Sequence, residues 1–128
     1  MNQVIHNAAW FDRTARAAIA TLPESFQANL AAVVIRVEEL PERAVLDDLG
    51  IQSPFDLLGL YSGVSLAEKS AWDVPHGPDM IFLYRRPILA FATASGEMLD
   101  HVIRHVIIHE AGHHFGLSDD EMAAIENQ

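Results

Sequence analysis

Val102, Ile103, Val106, Ile107 and Ile108 fall around well over half the circumference of an α-helix. A helix carrying them has to be buried on most of its faces. Ser95 is its expected N-cap, Glu97 and Asp100 place negative charge in its first turn, and the element is expected to run over 96–115. The same helix carries His109-Glu110-Ala111-Gly112-His113. The element that must be buried and the element that bears the chemistry are one.

Helix positions i and i+4 lie one turn apart on nearly the same face. His109 and His113 therefore present two imidazoles to one ion, at Zn–N distances of ~2.0–2.1 Å. Glu110 lies about 100° further round, beside such a metal rather than on it, where it takes a proton from a zinc-bound water. Even in a chain of 128 residues with 7 histidines, chance supplies an HExxH match only about 0.03 times, which disfavours incidental histidines on a buried helix. Gly112 in mid-helix costs ~1 kcal/mol relative to alanine, so something is expected to pack closely against that turn. The chain has no cysteine, and any zinc is held by nitrogen and oxygen alone.

A zinc that keeps an open position for water needs a third protein ligand. Gly116 stands where a helix ends in a left-handed cap. If the helix continued, Asp119 would lie ~9 Å further along the axis than His113, out of reach. A break at Gly116 is thus required of any ligand from the segment that follows. Glu121 and Glu126 are rivals for that place, and Asp120 is a closer one, since a one-residue slip in the turn presents it.

The run HEAGHHFGLSDDEM, beginning at His109, resembles the HExxHHFGLSDxxM signature of the small bacterial zincin-like metallopeptidases. Its Gly-x-x-Asp continuation is also similar to that of the snapalysin proteases, whose third zinc ligand is an aspartate. The resemblance extends more loosely upstream, over about residues 24–126. It implies Zn2+ held by His109, His113 and Asp119, Glu110 as the catalytic residue, and a minimal zincin-like scaffold. The longer metzincin pattern has histidine where this chain has Asp119, and no separate Met-turn segment fits in the residues that remain.

His101 and His105 continue the four-residue spacing back from His109 and offer a second metal site, but helical drift turns them away and favours surface or core roles. His114 points off the ligand direction and is expected to make a buried hydrogen bond that orients the following loop. Met122 reads as ordinary core. Tyr61, Tyr84 and His76 are candidate donors to a developing oxyanion, with structural roles as the alternative.

The fold class expected is α+β: strands near 31–38, 57–62 and 79–84 make a three- to four-stranded sheet packed on the buried HExxH helix, all within one domain over 1–128. Val33, Ile35 and Val37 share one strand face. Helical stretches are expected at 12–21 with Asp12 as cap, from Pro23 through Asn29, as a turn within 42–50, from Pro87 through Ala92, and from Glu121 to Glu126 with Asp120 as cap. Residues 64–78 show little pattern, and a connection of that length is more often functional than accidental.

The formal charge of −10, with 8 basic against 18 acidic residues, argues against nucleic acid as a partner, because phosphate neutralisation needs clustered Lys and Arg. The longest early apolar run, Ala17 to Ala20, is too short to enter a membrane. With no signal-like N-terminus and no cysteine, a cytoplasmic location is expected. The function expected is zinc-dependent hydrolysis of peptide bonds, with an extended peptide or protein substrate lying beside a sheet edge formed by Met80 to Tyr84. A zinc-binding interaction module without hydrolysis, and a hydrolase of a non-peptide amide, are the alternatives.

Overall fold

The computed structural model describes residues 6–63 and 78–128. The expected His76 lies outside them. Among the described residues, three strands form one mixed sheet in the order β1-β3-β2: β1 (Val34–Glu38) runs parallel to β3 (Met80–Tyr84), and β2 (Gly59–Ser62) runs antiparallel to it. The α+β class and the three strands are as the sequence led us to expect. Ile35 and Val37 of β1, with Val33 just before it, are partly buried and pack against the core.

The position of β3 corrects one expectation. It is the central strand, hydrogen-bonded on both sides, and Ile81 and Leu83 are fully buried. It has no free edge for a peptide. Among the described residues β2 pairs only with β3. Leu58 carbonyl accepts the Tyr84 N–H at 2.9 Å, so antiparallel alternation leaves Gly59 and Tyr61 with backbone groups directed away from β3.

Among the described residues there are six helices: α1 (Ala8–Ile19), α2 (Glu24–Leu30), α3 (Arg43–Leu49), α4 (Arg85–Ser95), α5 (Leu99–His114) and α6 (Asp119–Glu126). A 3-10 turn, Pro54–Asp56, precedes β2. The helix α5 buries Val102, Ile103, Val106, Ile107, Ile108, Ala111 and Gly112, in contact with β2, β3, α1, α4 and α6. This is the burial that its nearly all-round apolar surface demanded. No helix among the described residues is long and apolar enough to cross a membrane.

Three caps differ from expectation. Asn7, not Asp12, starts α1, its Oδ1 accepting the Trp10 N–H at 2.9 Å. Burial of Phe11 draws the helix start upstream, and Asp12 pairs instead with Arg16 one turn on. Ser95 is the last residue of α4 and not the start of α5. Gly96, at φ +75°, closes α4 with its N–H on Ala92 O, and α5 begins at Leu99. The third cap is Ser118, not Asp120. Its Oγ accepts the Glu121 N–H while the Glu121 carboxylate accepts the Ser118 N–H, a reciprocal capping box. Asp119 is therefore the first residue of α6.

The end of α5 follows the sequence reading. Gly116 has φ +81°, its N–H reaches His113 O at 3.1 Å, and the Leu117 N–H reaches Gly112 O at 2.9 Å. This pair of bonds is the Schellman arrangement. A Cβ at Gly116 would meet nothing within 4 Å, so the cost of a side chain there is purely conformational. Gly116→Val is expected to lose about 1–3 kcal/mol in urea unfolding. Gly116→Asn should lose visibly less, because asparagine tolerates the left-handed region. Equal losses would show that space, not backbone conformation, governs this position.

Candidate metal centre

The helix α5 crosses β2 at Gly59, and the crossing is close. A Cβ at Gly59 would stand 2.5 Å from Val106 Cγ1, 2.8 Å from the Phe82 carbonyl oxygen and 3.9 Å from Glu110 Cγ. Glycine at this point lets the strand sit against the helix turn that carries Glu110. Gly59→Ala is accordingly expected to destabilise the fold by about 1–3 kcal/mol, since the backbone oxygen cannot move aside. Chemical denaturation checks this, and an unchanged midpoint would show that the α5–β2 crossing accommodates a methyl group.

Glu110 is half-buried, and its Oε1 accepts the Tyr61 N–H at 3.3 Å from the outward side of β2. Burial pushes its carboxyl above the ordinary glutamate value, against the opposing pull of that hydrogen bond and of the His113 and His109 charges. A carboxylate whose proton affinity is raised, held beside two imidazoles, is suited to taking a proton and returning it.

Behind this hydrogen bond stands a cluster that the sequence did not reveal. The Tyr61 hydroxyl donates to Asp79 Oδ2 at 2.7 Å, the His114 ring stacks on Tyr61 at 3.9 Å between centroids, and His114 Nε2 is 3.8 Å from the same Asp79 oxygen. Burial, then the Asp79 hydrogen bond and charge, drive the Tyr61 phenol pKa strongly upward, so the ring is a neutral donor committed to Asp79. His114 thus orients β2 through stacking, rather than the loop after α5 through a hydrogen bond. The Tyr84 phenol is likewise raised, first by burial and then by the charges of Glu38, Glu42 and Glu110. Its ring is buried beside Phe82.

Gly112 faces Met122. A Cβ on Gly112 would lie 2.5 Å from Met122 Sδ and 2.8 Å from its Cγ, and Met122 is fully buried. The close packing inferred from a mid-helix glycine is this contact, which docks the middle of α6 onto α5. Asp119 and Glu126 are the two ends of that docked helix.

The two ends meet different histidines. At the first, Asp119 Oδ1 is 3.8 Å from His113 Nε2, both side chains being well exposed. At the last, Glu126 Oε1 meets His109 Nε2, while Oε2 is 2.9 Å from His105 Nδ1. Burial raises the Glu126 carboxyl, but the hydrogen bonds and charges of His105 and His109 together outweigh it and leave the group below its ordinary value. Among the described residues, His105, His109 and Glu126 are the His/carboxylate group whose ligand atoms all lie within 4.8 Å of one another. The set His109, His113 and Asp119 is brought to one side of α5 but, as the side chains stand, His109 is turned to Glu126. Glu121 is occupied in the α6 cap, and His101 pairs with Glu97 at 3.5 Å.

The donors gathered here are imidazole nitrogens and carboxylate oxygens, the set that zinc accepts when no thiolate is present. The zincin-like metallopeptidase family model matches residues 30–128. The chain belongs to that family. The match takes in all three strands, α5 with its HExxH residues, and α6, and membership implies zinc. No curated protein matches the chain. Two features of the centre had faint sequence signals. His105 stood in the four-residue histidine spacing, and Glu126 stood among the rival ligands. Asp79 carried none, because its partners Tyr61 and His114 are remote in sequence.

Proposed function

We propose that this family member is a zinc-dependent peptidase, with His109, His113 and Asp119 as the metal ligands and Glu110 as the general base. Zinc bound there would supply Lewis acidity, lowering the pKa of a bound water and polarising the scissile carbonyl. Glu110 takes the proton from the attacking water and passes it to the leaving amine. Tyr61 holds Glu110 through its backbone N–H, and Asp79 with His114 holds Tyr61. The substrate is a peptide or protein laid in extended form along β2, whose outward backbone groups stand beside Glu110. That juxtaposition, a half-buried carboxylate flanked on α5 by His109 and His113 and bonded to an outward N–H of β2, carries the reading.

Cleavage of a mixed-sequence peptide library by the zinc-loaded protein tests it. Cleavage should stop with chelator and return with zinc. His113→Ala and Asp119→Ala should each abolish it, whereas Glu121→Ala, a cap residue, should leave it largely intact. Asp119→Ala with full cleavage would remove Asp119 from the ligand set. A library left wholly uncut by zinc-loaded protein would favour a binding module instead.

A further inference from the structure

His105 and His109 are one helical turn apart on α5, with ring centroids 4.1 Å apart. Glu126 reaches both, one carboxylate oxygen to each ring. Its position does not depend on those contacts alone. Arg104, the residue before His105, donates Nη1 to the Glu126 carbonyl at 3.1 Å and Nη2 to the Ile125 carbonyl at 3.2 Å. Its Nε reaches Thr21 Oγ1 at 3.0 Å. One guanidinium thus pins the end of α6 to α5 and to the segment after α1. Met122 docks the same helix one turn earlier. The carboxylate is delivered to the two histidines by a braced backbone, the kind of support a metal site requires.

We propose that His105, His109 and Glu126 form a second divalent-metal site, which shares His109 with the HExxH set. Zinc bonds of ~2.0–2.2 Å put neighbouring ligand atoms ~3.3–3.6 Å apart in a tetrahedron. The three ligand atoms here already lie within 4.8 Å of one another, so side-chain shifts on the order of 1 Å close the site. Two imidazoles and a carboxylate leave one position open and favour zinc or another borderline ion over calcium or magnesium. His109 Nε2 faces Glu126 and cannot serve the His113–Asp119 side at the same time. The two placements of metal exclude each other at that nitrogen. The sharing rests on the peptidase reading above; the three-residue site itself does not.

The test uses zinc itself, with stoichiometry and affinity measured by titration on full-length protein shown by thermal melts to be folded. The double variant His113→Ala/Asp119→Ala dismantles the HExxH set and leaves the other three residues intact. It should still bind one zinc, and adding His105→Ala and Glu126→Gln should weaken that binding on the order of 100-fold or more, beyond what loss of an outer partner costs. No zinc bound by the double variant at concentrations that saturate the parent overturns the proposal, as does zinc that survives the two added substitutions unweakened. The converse variant, His105→Ala/Glu126→Gln alone, separates the two readings. Retention of one zinc with cleavage activity places that ion on the HExxH set. Loss of all zinc leaves the three-residue site as the holder of the metal and removes the HExxH ligand reading.

Discussion

Replacing Glu110 by glutamine is expected to lower peptide hydrolysis by ~10²–10⁴-fold while zinc content stays at the parental level. Glutamine keeps the shape and an oxygen that accepts the Tyr61 N–H, so the α5–β2 crossing should not change. What it lacks is a basic oxygen. The raised pKa of Glu110 adds a check on the metal-free protein. Burial disfavours the ionised form in the folded state. For a carboxyl raised on folding, the stability contribution is fully present below its unfolded pKa and is lost as pH rises through the higher folded value. Metal-free parent protein should therefore lose that contribution on going from mildly acid to neutral pH, and Glu110→Gln should not. Melting temperatures of both chains with chelator, measured across that range, read this directly. Parental turnover in Glu110→Gln would rule out the general-base role, and parallel pH profiles would show that the desolvation of Glu110 is unimportant.

Met122→Ala should have the largest effect on stability, about 2–5 kcal/mol for a fully buried methionine. The loss is local to the contact that seats α6, so it should also weaken zinc, because Asp119 and Glu126 are presented by the two ends of that helix. Met122→Leu, which conserves volume, should cost less than about 1.5 kcal/mol. The contact predicts a change of sign at Gly112. In the parent chain Gly112→Ala drives a Cβ to 2.5 Å from Met122 Sδ, and overpacking of this kind costs ~1–3 kcal/mol. With Met122→Ala already made, the clash is gone and alanine regains up to ~1 kcal/mol as the better helix former. Gly112→Ala should then stabilise. A double-mutant cycle from urea unfolding measures the coupling, and additive losses would show that Met122 is not what makes glycine necessary.

The places where sequence reasoning and structure part share a physical cause. Asp12, Ser95 and Asp120 were each chemically able to cap a helix, and each was displaced. Burial of Phe11 moved one boundary, the left-handed Gly96 moved the second, and the reciprocal Ser118–Glu121 bonds set the third. Local capping preferences are worth ~1 kcal/mol and yield to a buried side chain or a second hydrogen bond. The strand segments were legible because β-branched and aromatic runs mark them, whereas their order was not. Nothing in Met80 to Tyr84 as a string distinguishes a central strand from an edge, and placing the substrate there was an error of topology.

Within the site, the features that depend on short separations could be read from the amino-acid order. The i,i+4 spacing puts His109 and His113 on one side of α5, the apolar residues before them require that helix to be buried, and Gly116 ends it with a positive φ. Each is set within one or two helical turns, where backbone geometry leaves few choices. Which groups arrive from elsewhere depends on how the elements pack. Tyr61 comes to Glu110 across 49 positions, Asp79 to Tyr61 across 18, and Glu126 to His109 across 17. These pairings follow from which faces pack together: Gly59 admits α5 to β2, and Met122 beneath Gly112 seats α6. Packing is a property of two surfaces at once, and a single segment read alone carries only one of them.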